Sequence, residues 1–399
     1  MEMAELSALL TPGGLRLLDS LGDIASTGDV AAAVTRLRRD GHSPDLVSAA
    51  VGQARLRARA RAKFGGHAER MLFTRAGLEQ STRLSLAAHH AGRFRAAGLQ
   101  RVADLGCGIG GDALALAALG LRVDAVDSDE VTSAIAAYNL AVFGDAVTVR
   151  CTRAEDADLT DVDAVWLDPA RRTAGHGATV RTRPEDWSPS LDWVLDLLTR
   201  RPGGVKLGPG LDRALIPDHV EAQWVSADGS TVELVLWSGA VARPGVRRAA
   251  LVTRGERAWE LTAAADAEDA PVRDLGAFVH EPEGAVIRSR LIGDVARSLE
   301  AGMLDRRIAY LTGDAASTSP FVSTFRVRET LPVSTAALSK ALRARGIGTL
   351  EIKKRGVDVD PAALRTKLTL RGDDAATLLL TRLGDRRVAI LADRVEAAG

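Results

Sequence analysis

Four groups of residues in this 399-residue chain have the types and spacing to do chemistry. The first is Val102-Ala103-Asp104-Leu105-Gly106-Cys107-Gly108-Ile109-Gly110-Gly111-Asp112. An apolar run carries one carboxylate, glycines follow, and an Ala/Leu segment begins. Glycines let the backbone approach a ligand closely and take φ values that other residues avoid. In open α/β sheets, ligands bind where such turns leave the strands. The second group is Val123-Asp124-Ala125-Val126-Asp127-Ser128, where Asp127 ends an apolar run and can accept hydrogen bonds from ribose hydroxyls. The third is Glu155 and Asp156, placed after a further apolar run. A carboxylate there can accept from an adenine amino group, or can serve simply as a loop acid. The fourth is Val165-Trp166-Leu167-Asp168-Pro169-Ala170-Arg171-Arg172. Pro169 fixes φ and lacks an N–H, so it shapes a rigid loop with free carbonyls. With Asp168 it can hold an –NH₂ group for attack on a methyl, which is catalysis by positioning. Arg171 and Arg172 can hold a phosphate beside that point, or form an exposed basic turn.

The glycine turn has more than one reading. Gly106, Gly108 and Gly111 also spell the G-x-G-x-x-G dinucleotide pattern, so NAD stays open, as does a turn that binds nothing. Asp104 favours S-adenosylmethionine (SAM). A pyrophosphate gains nothing from a carboxylate just before the first glycine, whereas SAM carries a cationic amino acid end and a sulfonium.

These residues need elements to position them. The first hundred residues read as helical. Ser43-Pro44-Asp45 is a helix start, with a capping serine, proline in the first turn and an acid at the positive end of the dipole. That helix is expected to reach about Phe64 and to end at Gly65-Gly66. Arg55, Arg57, Arg59, Arg61 and Lys63 are spaced by two, which spreads charge around a helix, so they read as a solvated face, with nucleic-acid contact as the alternative. A second helix is expected over 77–97. Strands and helices then alternate: strands over 101–105, 122–126, 147–151, 164–167 and 205–207, helices over 112–119, 131–143 and 191–200. Such alternation implies a doubly wound sheet. Segments 220–226 and 233–237 suit an antiparallel pair. Beyond Gly239, strands are expected over 247–253 and 258–261 and a turn then a helix over 282–299. A last α+β unit begins near Phe325 and ends in a hairpin across Gly384-Asp385. The expected domains are a helical part over 1–98, a core over 99–240, an α/β linking segment over 241–324 and a small α+β domain over 325–399.

Composition narrows the function. Hydrophobic residues make up 46%, enough for a core. The two cysteines, Cys107 and Cys151, lack Cys-x-x-Cys spacing, and the seven histidines show no His-Glu-x-x-His pattern, so no metal is expected. Formal net charge is zero, so a nucleic-acid partner must be recognised by local patches. Six of the 52 basic residues are lysines, and the arginine excess reads as GC-rich coding rather than function. There is no apolar run long enough to cross a bilayer. The acidic start, Met1-Glu2-Met3-Ala4-Glu5, lacks the basic region of a signal peptide, so a cytoplasmic location is expected.

On these residues the chain resembles the class I SAM-dependent methyltransferases. Asp104 to Gly110 matches their SAM loop, Asp127 their ribose acid, and Asp168-Pro169 the N/D-P-P-x type loop of nucleic-acid amino methyltransferases. The resemblance implies a Rossmann-like, mostly parallel seven-stranded sheet with a helical N-terminal domain. Within the class it is similar to the trimethylguanosine synthase branch, through Met71-Leu72-Phe73-Thr74-Arg75-Ala76-Gly77-Leu78 and Ala136-Ala137-Tyr138-Asn139-Leu140. Where that branch has Pro-Pro-Trp this chain has Pro169-Ala170-Arg171, so the cap-stacking tryptophan is missing and cap methylation is not expected. Asp-Pro-Ala-Arg also occurs in RNA uridine C5 methyltransferases, which need a nucleophilic cysteine, and neither Cys107 nor Cys151 is well placed for that role.

The last unit resembles the THUMP-like domain; THUMP domains proper bind RNA. Between Lys340 and Arg371 lie nine basic residues, Lys353 and Lys354 among them, against three acids. Basic side chains bind phosphates by counterion release.

The expectation is a SAM-dependent methyltransferase acting on a base nitrogen of tRNA or rRNA. Asp168 and Pro169 would be catalytic. Phe73, Thr74, Asp104, Gly106, Cys107, Gly108, Gly110, Asp127, Ser128, Glu155 and Asp156 would serve the cofactor. Arg171, Arg172, Lys340, Arg343, Lys353 and Lys354 would contact RNA. The alternatives are a methyltransferase for a protein or small molecule, and a non-catalytic RNA-binding protein with a vestigial core.

Overall fold

Caps written into the sequence start the N-terminal helices. The computed structural model describes residues 1–24, 26–171 and 187–396. Helix α1 spans Met3–Leu9, α2 Pro12–Ser20, α3 Thr27–Arg39 and α4 Pro44–Phe64. Thr11 accepts from the Gly14 N–H, Ser26 and Asp29 form a capping box, and Ser43 accepts from the Leu46 N–H. Each satisfies a backbone donor that a helix start leaves unpaired. Gly65, at φ 54°, ends α4 as expected. Helices α1, α2 and α3 all pack on α4.

The single helix expected over 77–97 is two helices, α5 (Arg75–Gln80) and α6 (Leu84–Ala96). The break has a physical cause. Lys63 Nζ donates to the carbonyls of Leu78, Glu79 and Ser81 at 2.8, 2.8 and 2.7 Å, ending α5. Thr82, at the break, is buried and turns inward.

The sheet of the first unit follows. Strand β1 is Arg101–Leu105, α7 Gly111–Ala118, β2 Arg122–Asp127, α8 Glu130–Leu140, β3 Val147–Cys151 and β4 Ala164–Leu167. Helix α8 stops three residues before the expected end, and a 3₁₀ segment, Ala141–Ala146, continues it. Short strands β5 (Ala170–Arg171) and β6 (Trp187–Ser188) pair antiparallel. Helix α9 (Leu191–Arg200) leads to β7 (Gly203–Leu207). The parallel order is β7-β4-β1-β2-β3, so the chain reverses direction of travel between β1 and β4. This is the switch point at which open α/β sheets bind ligands. Residues Leu236–Ala242 also belong to this unit. There Trp237 meets Trp166 at 5.6 Å, Phe94 at 5.9 Å and His90 at 6.2 Å. A side chain at Gly204 would lie 2.6 Å from the Trp237 ring and 2.9 Å from that of Trp166, so packing alone demands glycine.

The second unit comprises residues 208–235 and 243–399. Strand β8 is Glu221–Ala227, β9 Ser230–Ser238, β10 Arg248–Arg254 and β11 Arg257–Ala263. Strand β10 pairs parallel with β8 and antiparallel with β11 around Gly255. Further on, β12 is Phe278–Pro282, α10 Gly284–Arg288, α11 Ile292–Ser298, β13 Gly302–Asp305 and β14 Ile308–Gly313. Where a turn and then one helix were expected over 282–299, there are two short helices. The remainder is β15 (Val322–Leu331), α12 (Thr335–Ala344), β16 (Ile347–Lys354), α13 (Pro361–Lys367), β17 (Asp374–Leu383) and β18 (Arg386–Arg394). Strands β12 to β18 form one sheet, in the order β13-β14-β12-β15-β18-β17-β16. One core holds Leu338, Leu342 and Leu364 from the two helices against Leu350, Leu378 and Leu380. A separate core holds Val279, Tyr310, Phe325, Leu379 and Ile390. Alternation along β17 sends Leu378 and Leu380 to one and Leu379 to the other.

Candidate active site

Parallel register lines up the carboxyl ends of four strands. Leu105 lies beside Leu167, Leu167 beside Val205, and Val126 beside Leu105. One residue further on, Gly106, Asp127, Asp168 and Lys206 share the same edge of the sheet. Gly106 and Cys107 both donate from N to the Val126 carbonyl at 2.9 Å, which bends the chain out of β1. Gly106, Gly108 and Gly110 have φ of 89°, 54° and 85°, values that only glycine takes without strain. A side chain at Gly106 would face the Asp168 carbonyl at 3.5 Å, and one at Gly108 would meet nothing within 4 Å.

The loop is tied to β2. The Gly108 N–H donates to Asp127 Oδ2 at 3.0 Å and the Asp129 N–H to Oδ1 at 2.9 Å. Burial raises the Asp127 carboxyl despite these donors. Ser128 is exposed beside it. Asp104 is 1% exposed, and its Oδ2 is buried with no hydrogen-bond partner among the described residues. Burial, then the charges of Asp112, Asp168 and Asp127, push its carboxyl well above the ordinary range. A buried carboxylate oxygen without a donor, beside an open glycine turn, fits a cationic ligand. Cys107 is buried, and burial followed by Asp104 and Asp127 pushes its thiol well up, the opposite of an activated nucleophile. Cys151 is exposed at the end of β3.

Glu155 and Asp156 sit in a 3₁₀ turn after β3. Glu155 accepts from Arg153 at 3.0 Å, and Asp156 is exposed. Phe73 is wholly buried against Phe64, with ring centres 5.7 Å apart, and Thr74 caps α5 by accepting from the Gly77 N–H at 2.9 Å. The Phe73 side chain is thus a core residue. Pro169 is buried after Asp168. Arg172 and the Arg171 side chain lie outside the described residues.

Sequence reasoning missed a polar network behind Asp168. Lys206 Nζ lies 2.6 Å from Asp168 Oδ2 and donates to Thr82 Oγ1 at 3.0 Å. Thr82 donates to Asp112 Oδ2 at 2.9 Å, and His90 Nδ1 lies 3.1 Å from Asp112 Oδ1. The His90 ring lies tilted against that of Trp166, with centres 4.6 Å apart. Burial alone would raise Asp112, but the hydrogen bond and charge of His90, with Lys206 and Thr82, hold it below the ordinary range. The one available signal was the rarity of lysine: Lys206 closes an apolar strand in a chain whose cations are mostly arginine.

The basic stretch of the second unit divides. Arg345 pairs with Glu329 at 2.5 Å, Lys353 with Glu281 at 2.6 Å, and Arg355 with Glu281 at 3.6 Å. Arg365 donates to the Leu350 carbonyl. Lys353 is thereby on the face that carries Phe325, 5.8 Å from its ring, opposite α12 and α13. Lys340, Arg343, Lys354, Lys367 and Arg371 are exposed. The Thr369 N–H donates to Ser339 Oγ at 3.3 Å, which brings Lys367 and Arg371 toward Lys340 and Arg343.

The sheet order, the glycine turn at its switch point, the buried Asp104 Oδ2 without a partner among the described residues and Asp127 at the end of β2 suit a SAM-binding methyltransferase core. Comparison with known proteins agrees. Two uncharacterized S-adenosylmethionine-dependent methyltransferases of Mycobacterium tuberculosis, from strains CDC 1551 and H37Rv, are each 34% identical over 359 residues, 88% of this chain and 95% of theirs. The chain belongs to the family of S-adenosylmethionine-dependent methyltransferases, and its cofactor is SAM. Residues 322–394 match the THUMP domain-like family, and residues 2–60 match a domain of unknown function (DUF8688). A crystal structure of a putative methyltransferase from Porphyromonas gingivalis W83 superposes with a TM-score of 0.69 at 21% identity, covering 94% of this chain and all of that one. No helix among the described residues is long and apolar enough to cross a membrane, and no group of metal-ligating side chains occurs among them.

Proposed function

We propose that this methyltransferase modifies an exocyclic or ring nitrogen of a base in structured RNA. The observation that carries the reading is the exposed basic face of the THUMP-like region: Lys340, Arg343, Lys367 and Arg371, with no acid among the residues of α12 or α13. In a chain of zero net charge, such a face attracts a polyanion.

The catalytic edge supports a neutral nitrogen acceptor. SAM, when bound, supplies an electrophilic methyl group on a sulfonium. Asp104 offers a buried acceptor to the cationic amino acid end, and Asp127 offers acceptors to ribose hydroxyls. Asp168 accepts an N–H of the incoming amine and, with the Pro169 loop, fixes its lone pair toward the methyl. Lys206 Nζ, 2.6 Å from Asp168 Oδ2, partly neutralises that carboxylate. A protonated alkylamine would meet a carboxylate already paired and a cation beside it. A nucleobase amine, uncharged at neutral pH, meets only a hydrogen-bond acceptor. The base has to leave its stack to reach such an edge.

The test is methylation of fractionated RNA with labelled SAM, alongside tRNA binding over a range of salt. The reading expects label in RNA and an affinity that falls steeply with salt. Label in protein or small-molecule fractions with none in RNA would overturn it.

A further inference from the structure

The segment Met71–Phe73 is buried and extended but belongs to no β-ladder. Buried backbone groups must still be paired, and here side chains replace a neighbouring strand. Arg57 Nε donates to the Met71 carbonyl at 3.0 Å. Asn139 Oδ1 accepts from the Leu72 N–H at 2.7 Å, and Asn139 Nδ2 donates to the Leu72 carbonyl at 3.0 Å. Gln53 Oε1 accepts from the Phe73 N–H at 3.0 Å, and Gln53 Nε2 donates to its carbonyl at 2.7 Å. Both amides are buried, at 1% and 6% exposure.

The same Asn139 reaches the glycine turn, donating from Nδ2 to the Ile109 carbonyl at 2.9 Å. Ile109 also packs on Gly77, where any side chain would lie 2.5 Å from Ile109 Cγ2. One amide therefore binds the Cys107–Gly110 turn to Leu72, and helix α4, through Gln53 and Arg57, fixes where Leu72 lies. Gln53 and Arg57 fall within the 2–60 region that matches a domain of unknown function.

We propose that Asn139 and Gln53 are positioning residues for the SAM turn, and that the N-terminal helices serve to complete the cofactor site. The proposal rests on the assignment of Gly106–Gly110 as the SAM turn. It assigns the N-terminal region a task inside the catalytic unit, separate from any substrate contact. Loss of either amide frees the turn to sample conformations in which its N–H groups and Asp104 are misplaced, so SAM binds more weakly although no group touching it has changed.

Full-length Asn139→Leu and Gln53→Leu would be titrated with SAM by calorimetry, with hydrogen exchange followed across 105–112. Each variant leaves buried backbone groups unsatisfied, which costs about 1–3 kcal/mol, and where that cost falls on the ordered turn it corresponds to about ten- to hundredfold in affinity. That loss is expected here, with faster exchange of the turn. If Asn139→Leu does not fold, Gln53→Glu keeps the acceptor for the Phe73 N–H, loses the donor, and is expected to weaken SAM in the same direction. Val47→Ala, a buried change in α4 that removes no hydrogen bond of either amide, separates positioning from plain stability and is expected to bind SAM normally. Folded amide variants with wild-type affinity and exchange would overturn the proposal, as would an equal loss in Val47→Ala. Wild-type protein that takes up no SAM would instead overturn the assignment of the turn, and the proposal with it.

Discussion

The end of helix α4, from Arg55 to Lys63, and the stretch from Lys340 to Arg371 look alike as strings: closely spaced cations with few acids. In the folded chain they divide differently. Arg57 is one-tenth exposed and pairs with Asp19 at 2.8 Å, Arg61 pairs with Asp23 at 2.5 Å, and Lys63 caps α5. Burial, then Lys206 and Arg83, lower the Lys63 ammonium below its usual range. Arg55, Arg59 and Arg61 stay exposed, as the solvated-face reading expects, while Arg57 and Lys63 are drawn into holding the N-terminal helices together. In the C-terminal stretch Glu329 and Glu281 take Arg345, Lys353 and Arg355, and six cations stay exposed, of which Arg343 and Arg365 also donate to carbonyls. Local charge density therefore counts candidates, and distant acids such as Asp19 and Glu281 decide which remain for a partner.

Substitution can break this contrast. The largest effect is expected from Lys340→Glu, Arg343→Glu and Lys367→Glu combined. Affinity for tRNA should fall by about a hundredfold, and the slope of log affinity against log salt should shrink by about two to three. Stability should change little, since exposed substitutions usually stay within about 0.5 kcal/mol. Lys63→Met should show the reverse. Three carbonyls lose their donor, so thermal unfolding should reveal a loss of about 1–3 kcal/mol with RNA affinity unchanged. Lys353→Met is the smallest and most discriminating case. Its partly exposed pair with Glu281 is worth under about 1 kcal/mol, and tRNA affinity should stay at the wild-type value. A large loss of RNA binding there would mean that the wrong half of the stretch has been assigned to RNA.

The same division governs what the sequence made legible. Strand, glycine turn and helix around Asp104 to Asp112 are contiguous, so their spacing already shows the strand–turn–helix unit that we propose holds the cofactor. Asp127 and Asp168 were readable because each ends an apolar strand, and parallel register brings strand ends together. The support behind them was hidden. Thr82 reaches Asp112 across 30 residues, Lys206 reaches Thr82 across 124, and Asn139 reaches Leu72 across 67. Hydrophobic period reports which face of an element is buried, but not which polar side chain on a distant element meets it. The break at Ser81 was missed for the same reason, since the donor that ends α5 comes from Lys63. Phe73 illustrates the converse: its motif was readable, but its ring turns into the core.

The central claim is that Asp104 waits for the cation of SAM, and Asp104→Asn tests it most directly. In the folded chain Asp104 keeps its proton to higher pH than in the unfolded chain. Its contribution to stability is therefore full below the ordinary carboxylate value of 3.8 and is lost as pH rises through the raised folded value. Without SAM, Asp104→Asn should unfold at higher temperature than wild type near neutral pH, by about 1–3 kcal/mol, because no charge has to be buried. Titrated with SAM, the variant should bind about ten- to hundredfold more weakly, the worth of one charge-assisted hydrogen bond. Higher stability with weaker SAM binding would match the account. Wild-type SAM affinity in Asp104→Asn would contradict it.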